Sequence, residues 1–163
     1  MPYSTSLVLS PVLRFFVSQE ILEHIQDSLT LTQHFAEPDH RSSFHDYAFM
    51  VFPMAKAYEG FLKHYFVHLG ILNDSHFRSR HFRIGRSFNP DLTKNLRDEV
   101  WLFDDVANHC GNELAREMWN MWVEGRNHTF HYFPDERHCL SYGQAKKLVY
   151  RFVDIMEQAI KCV

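Results

Sequence analysis

At 163 residues, of which 45% are apolar, the chain is long enough for one domain with a packed core, and its six Gly and six Pro are too few for an all-β protein with many tight turns. The formal net charge of −3 gives no general attraction to nucleic acids, so any RNA-binding surface has to be a local basic patch. Three scattered cysteines without C-x-x-C spacing, no membrane-length apolar segment and no secretory leader together predict a cytoplasmic protein with free thiols.

Residues 1–17 mix Ser, Pro and apolar residues, and they are expected to form an extended or irregular arm. A single helical domain, residues 18–163, is expected to follow. Ser18 is a suitable N-cap for a helix that runs to about Phe35. The apolar stripe of this helix comprises Ile21, Leu22, Ile25 and Leu29.

A long helix is predicted from the S-x-x-D capping spacing of Ser43 and Asp46 to about Leu72. Pro53 lies inside it and is expected to kink or split it, because proline removes a hydrogen bond and crowds the preceding turn. Its predicted buried face comprises Phe44, Tyr47, Val51, Ala55, Tyr58, Leu62, Phe66 and Leu69.

The same helix carries a charged face. Lys56, Glu59 and Lys63 follow one another at spacings of three and four, so their side chains project from one side of the helix. The simplest interpretation is an exposed ladder of ion pairs, which contributes only a few tenths of a kcal/mol.

A basic loop is predicted over residues 73–89. It contains Arg78, Arg80, Arg83 and Arg86 within nine positions, with no carboxylate among them and with aromatic residues in between. Guanidinium groups beside aromatic rings suit the phosphate backbone and unstacked bases of RNA. A solvated basic loop and a docking patch for an acidic partner are the alternatives.

Asn89 and Pro90 favour the start of a helix that runs, with one possible break, to Cys110, where Gly111 ends it. Asn112 can cap the next helix. The inward residues of this helix are Leu114, Met118, Met121 and Trp122. Gly125 suggests a point where another backbone or a phosphate comes close.

A turn over residues 134–140 leads to the last predicted helix. Ser141 and Gln144 form a capping box for this helix, which runs from about Tyr142 to Lys161. Its inward residues are Ala145, Leu148, Val149, Phe152, Ile155, Met156 and Ile160.

The most informative segment, Arg126 to His131, ends the apolar run from Leu114 to Phe133. On an α-helix, Asn127 and His131 share a face about 6 Å apart. Arg126 and His131 are five residues apart, which is roughly 140° around the axis, so they do not stack directly. A curled Arg side chain, or a second copy of the helix across a dimer axis, would bring the two groups together.

The chemistry of these side chains suits RNA cleavage without a metal. An imidazole exchanges protons near neutral pH, and a guanidinium can hold a phosphate with two hydrogen bonds. Such a pair can cut RNA with the substrate's own 2′-hydroxyl as nucleophile. The competing interpretation is a solvated helix end, where cations favour the negative pole of the helix dipole.

The R-N-x-x-x-H pattern of Arg126, Asn127 and His131, followed by a capped C-terminal helix, resembles the HEPN superfamily of ribonucleases. Residues 56–63 resemble a helix in RNase LS-type toxins of bacterial toxin–antitoxin systems, in which a basic residue and a Glu three positions later support the Arg–His pair. Lys56, where Arg is usual, and Glu59 match those two positions. The resemblance covers about residues 42–160.

This resemblance implies an all-α bundle of four to six helices and a homodimer with a composite active site. It implies a metal-independent endoribonuclease, without cofactor, that leaves a 2′,3′-cyclic phosphate and a 5′-hydroxyl and acts as a toxin or defence effector with a possible antitoxin partner. His131 would transfer protons, Arg126 would bind the phosphate, and Asn127 would orient His131 or hydrogen-bond the phosphate. Glu59 would fix Arg126 or Lys56 through an ion pair.

Two alternatives to this enzyme stay open. The first is a non-catalytic dimeric helical module that binds RNA or a partner protein, because fold alone does not decide activity. The second is a zinc site formed by His128, His131, His138 and Cys139, although the helical H-x-x-H lacks the Glu of H-E-x-x-H.

Overall fold

All regular secondary structure in the part that the computed structural model describes, residues 7–40, 44–132, 134 and 139–163, is helical. This confirms the all-α prediction. The α-helices in this part are α1 (Pro11–Phe16), α2 (Gln19–His34), α3 (Ala48–His68), α4 (Asp74–Arg78), α5 (Ile84–Ser87), α6 (Phe103–Cys110), α7 (Asn112–Met121) and α8 (Tyr142–Ala159). A π-helical segment, Trp122–His128, continues α7, and short 3-10 helices span Pro38–His40, Lys94–Leu96 and Ile160–Cys162.

Within the described residues there are more helices than the expected four to six, because α1, α4 and α5 form in segments for which the sequence predicts irregular structure. None of the described helices is both long and apolar enough to cross a lipid bilayer.

The helix α3 is the centre of the bundle, since it packs against α2, α8 and the π-helical segment. Its fully buried aromatic residues are Tyr58, Phe61, Tyr65 and Phe66. Most of its predicted inner face is buried, as is most of the inner face of α8, whereas Phe44 is exposed. In α2, Ile21 and Ile25 are buried, and Leu22 and Leu29 are partly buried. Pro53 does not split α3. It lies within the first two turns, where it removes a single hydrogen bond.

Side-chain hydrogen bonds hold the starts of α3 and α8. The carboxylate of Asp46 accepts hydrogen bonds from the backbone N–H groups of Ala48 at 2.9 Å and Leu140 at 3.0 Å, which joins the start of α3 to the segment before α8. Ser43, its expected partner in a capping box, lies outside the described residues. The predicted capping box of Ser141 and Gln144 is formed at the start of α8.

Residues 7–17, the described part of the expected irregular arm, pack into the core and include the helix α1, which corrects that expectation. Ser10 caps α1, and Pro11 occupies its first turn, where a missing N–H costs nothing. Leu9, Leu13 and Val17 are buried. The N–H and hydroxyl of Ser10 also donate to the carboxylate of Glu157 in α8, at 2.8 and 2.6 Å.

Replacing Ser10 with alanine is expected to lower the free energy of unfolding by about 1–2 kcal/mol, because it removes an N-cap and a charge-assisted hydrogen bond. Urea denaturation followed by circular dichroism measures this change. The control is Val12→Ala on the same helix, where the side chain is 62% exposed and a change within about 0.5 kcal/mol is expected. Equal stability of both variants would show that the Ser10 contacts do not stabilise the fold.

The predicted helix from Pro90 to Cys110 forms only from Phe103 onward. Arg97 donates to the carbonyl groups of Leu92 at 2.8 Å and Pro90 at 3.2 Å, and its guanidinium lies 3.9 Å from the centre of the Trp101 ring. These contacts between neighbouring residues satisfy two backbone carbonyl groups without a helix. Gly111, at φ +86°, ends α6 as predicted, and Asn112 is the first residue of α7 rather than its cap.

Candidate active site

The residues of the R-N-x-x-x-H pattern lie on and just after the π-helical segment rather than on a regular α-helix. Hydrogen bonds in a π-helix join residues five apart, so such residues come close to one face. The hydroxyl of Thr129 also donates to the carbonyl of Glu124, five residues earlier, at 3.1 Å. Arg126 and His131 line the same cleft, so a single chain brings together two groups that α-helical geometry would have separated.

The π-helical segment is held against α8 by packing and by charge. Gly125 is buried, and a methyl group at this position would overlap the Phe152 ring and the end of Met121. Next to it, the carboxylate of Glu124 pairs with Arg151 at 2.5 Å. The close approach predicted for Gly125 is therefore made by an aromatic ring of the core, not by another backbone or a phosphate.

The cleft lies between α3 and the end of the π-helical segment and has a volume of about 460 Å³. The α3 wall consists of Phe52, Ala55, Lys56 and Glu59, and the opposite wall of Arg126, Phe130 and His131. Four of the five predicted catalytic residues thus converge on one open cleft. The imidazole of His131 is exposed rather than buried in the core.

Arg126 is held in place by two neighbours. Its Nη1 atom donates to the Oδ1 atom of Asn127 at 3.2 Å, and its guanidinium lies 5.2 Å from the centre of the Trp122 ring. A guanidinium fixed by a hydrogen bond and a cation–π contact is oriented before any ligand arrives. Asn127 therefore contacts Arg126, whereas the sequence predicts that it orients His131 or hydrogen-bonds the phosphate.

Glu59 forms an ion pair with Lys63, with 3.4 Å between Nζ and Oε1, instead of the expected pair with Arg126 or Lys56. The two residues are four apart on α3 and partly exposed, so the interpretation as a surface ion pair is correct for them. Lys56 is exposed and lines the cleft. Because Lys63 balances the charge of Glu59, the cations Lys56 and Arg126 determine the charge of the cleft.

The four arginines predicted to contact RNA lie around α4 and α5 and do not line this cleft. Arg78 pairs with Asp74 and Arg86 pairs with Asp98, each at 2.8 Å, so carboxylates from outside the basic run neutralise two of the four. Arg83 donates to the carbonyl groups of Arg80 and Phe82. RNA binding by Arg78, Arg80, Arg83 and Arg86 stays a prediction.

The cleft also contains aromatic residues that were not predicted to take part. Phe52 lies one turn before Lys56 on α3, off the buried stripe, and Phe130 directly precedes His131. In the sequence, Phe52 could have been identified as a site residue because it is an apolar ring on an otherwise charged helix face. The sequence places Trp122 in the core, and in the structure its ring also contacts the guanidinium of Arg126.

A smaller pocket of about 270 Å³ lies beside the π-helical segment and is lined by Glu124, His128, Cys139 and residues of α8. His128 and His131 therefore line different cavities. Among the described residues, no group of three or more His, Cys, Asp and Glu is placed to hold a metal ion. His138, a member of the proposed zinc set, lies outside those residues.

Comparisons with models of known protein families, with curated proteins and with solved structures find no match for this chain. The resemblance to HEPN ribonucleases therefore remains a hypothesis based on the residues themselves. The geometry of the cleft is the independent observation that bears on function.

Proposed function

We propose that this protein is a metal-independent endoribonuclease of the HEPN type. The observation that supports the proposal is the convergence of Arg126 and His131 on one open cleft, with Lys56 on the opposite wall. An exposed imidazole can exchange protons with a substrate, and the oriented guanidinium can bind a phosphate. A role as a toxin or defence effector controlled by an antitoxin protein is part of the same proposal.

The reaction begins when His131 takes the proton from a ribose 2′-hydroxyl. The 2′-oxygen attacks the adjacent phosphorus, the bond from phosphorus to the 5′-oxygen breaks, and the 5′-oxygen takes a proton. The products are a 2′,3′-cyclic phosphate and a 5′-hydroxyl. Arg126 stabilises the negative charge that develops on the phosphate oxygens, and Lys56 adds positive charge on the opposite wall.

A second proton-transfer group is needed for the leaving 5′-oxygen. One copy of the chain offers one His131 to its cleft, so we propose a homodimer in which the partner contributes the second imidazole. Asn127 acts through Arg126, whose guanidinium it holds at 3.2 Å. It is thus a positioning residue rather than a catalytic one.

Cleavage of bulk cellular RNA is expected to continue in excess chelator and to leave 5′-hydroxyl ends, because the nucleophile belongs to the substrate. A kinase that labels 5′-hydroxyl ends, used without prior phosphatase treatment, measures these ends. The control substrate carries 2′-deoxyribose at the cleavage site and is expected to stay intact. Ends with a 5′-phosphate, or activity that only added metal restores, would contradict the proposal.

A non-catalytic module that binds RNA or a partner protein is the alternative. Such a module could use the same basic cleft, but its function would not depend on proton transfer by His131. Binding of RNA without any cleavage by the wild-type protein would favour this alternative.

A further inference from the structure

Two exposed phenylalanine rings meet at the cleft, one from each wall. Phe52 of α3 is 52% exposed and Phe130 is 36% exposed. Their ring centres are 5.3 Å apart at an interplanar angle of 85°, which is an edge-to-face pair. Each ring thus fixes the orientation of the other while much of both surfaces stays open to solvent.

The position of Phe52 is not explained by packing of the core. Val51 and Ala55, its neighbours on α3, are buried, whereas Phe52 projects from the charged face that carries Lys56 and Glu59. Exposed aromatic surface within a cleft is characteristic of binding sites. A ligand that suits this cleft has a flat apolar part and an anionic part.

The cationic groups lie close to the rings. The Nζ atom of Lys56 is 6.0 Å from the centre of the Phe52 ring, and Arg126 lines the same cleft as Phe130. A nucleotide combines a flat base with an adjacent phosphate. The base can therefore stack on the aromatic part of the cleft while the phosphate binds to the cationic part.

We propose that Phe52 and Phe130 form a stacking platform for a nucleobase next to the bound phosphate, and that the substrate is therefore unpaired RNA. This inference rests on the proposed function, since it takes RNA as the ligand. The bases of a duplex are stacked on one another, so their faces are not available to the rings. Single-stranded loops and ends are then bound in preference to helices, with little preference among bases, because every base has a flat face.

The test measures the dissociation constant by fluorescence anisotropy for a labelled single strand of about twelve nucleotides with 2′-O-methyl sugars, which binds without being cleaved. The variants Phe52→Leu and Phe130→Leu are expected to raise the dissociation constant about tenfold each, and Phe130→Tyr is expected to retain binding. Phe15→Leu is the matched control, since Phe15 is 95% exposed on α1 and lies outside the cleft. The second probe is the same strand with abasic sites, and its binding is expected to be equal for wild type and both leucine variants.

The stacking platform would be overturned if Phe52→Leu and Phe130→Leu weakened binding of the abasic strand as much as binding of the intact strand, or did not weaken binding of the intact strand. It would also be overturned if the wild type bound a duplex of the same length as tightly as the single strand. Sedimentation without RNA tests whether a second copy of the chain covers the two rings. Loss of self-association in Phe52→Leu and Phe130→Leu, but not in Phe15→Leu, would also overturn the stacking platform. Failure of wild type to bind any strand would overturn it as well. If the protein bound the intact strand more tightly than the abasic strand but cut no RNA, the stacking platform would be supported and the proposed nuclease activity rejected. The failure of one proposal can therefore be distinguished from the failure of the other.

Discussion

Replacing His131 with alanine is expected to reduce RNA cleavage by about 10²- to 10⁴-fold, which is the usual contribution of a general acid or base. The imidazole is exposed and lines the cleft opposite Lys56, so its removal eliminates proton transfer without creating a cavity in the core. The free energy of unfolding should change by less than about 0.5 kcal/mol. Initial rates on a fluorescent single-stranded RNA, together with urea denaturation of both proteins, measure the two effects.

The matched control is His128→Ala. His128 is also an imidazole of the same segment, but it lines the pocket beside α8 rather than the cleft. Cleavage by this variant is expected to stay within about threefold of wild type, since no step of the proposed reaction uses His128. Equal cleavage rates for wild type and His131→Ala would contradict the role assigned to His131. An equal loss of cleavage in His128→Ala and His131→Ala would indicate that the substitutions disrupt the structure of residues 126–131.

Replacing Gly125 with alanine is expected to lower the free energy of unfolding by about 1–3 kcal/mol. In an ordinary helix the same change would stabilise by about 1 kcal/mol, because alanine has the higher helix propensity. Here the added methyl overlaps the Phe152 ring, which is fully buried and lies 4.9 Å from the Tyr58 ring between centres. Because the ring has little room to move, we expect the π-helical segment to shift instead. Arg126 is the next residue, so this shift should displace its guanidinium and lower the rate of cleavage. Urea denaturation and initial rates measure both effects.

Gly143→Ala provides the matched control for this prediction. It lies in the first turn of α8, where an added methyl meets no atom within 4 Å, and the change is expected to be neutral or stabilising. Combining Gly125→Ala with Phe152→Leu should cost less than the sum of the two single changes, because the smaller side chain makes room for the methyl. Strict additivity would show that the ring is not the source of the destabilisation.

The main helices could be predicted because local signals determine them. The stripe of α2 follows helical periodicity, and Ser18 and Ser141 carry the capping groups that start α2 and α8. The structures of residues 7–17 and 90–102 were not predicted, although Ser10 and Pro11 carry a local start signal for α1. Their structures depend on partners far along the chain, such as Glu157 for Ser10, or on side chains that bond to nearby carbonyl groups, such as Arg97.

Four residues of the candidate site, Lys56, Glu59, Arg126 and His131, could be named from the sequence, but their arrangement and the aromatic residues of the cleft could not. A periodicity of 3.6 residues describes an α-helix and predicts that Arg126 and His131 point apart. In the observed π-helical segment, Gly125 packs against Phe152, 27 positions later, and no local pattern encodes this contact. Glu59 had two candidate partners on its own helix face, Lys56 and Lys63, and it pairs with Lys63.

The most direct measurement is a crystal structure of the His131→Ala protein with single-stranded RNA that carries 2′-deoxyribose at the cleavage site. We expect one phosphate within hydrogen-bond distance of the Arg126 guanidinium, with the neighbouring 2′ position facing residue 131 of the same chain or of a second copy. An oligonucleotide bound elsewhere on the surface, with Arg126 still engaged only by Asn127 and Trp122, would contradict the proposed active site.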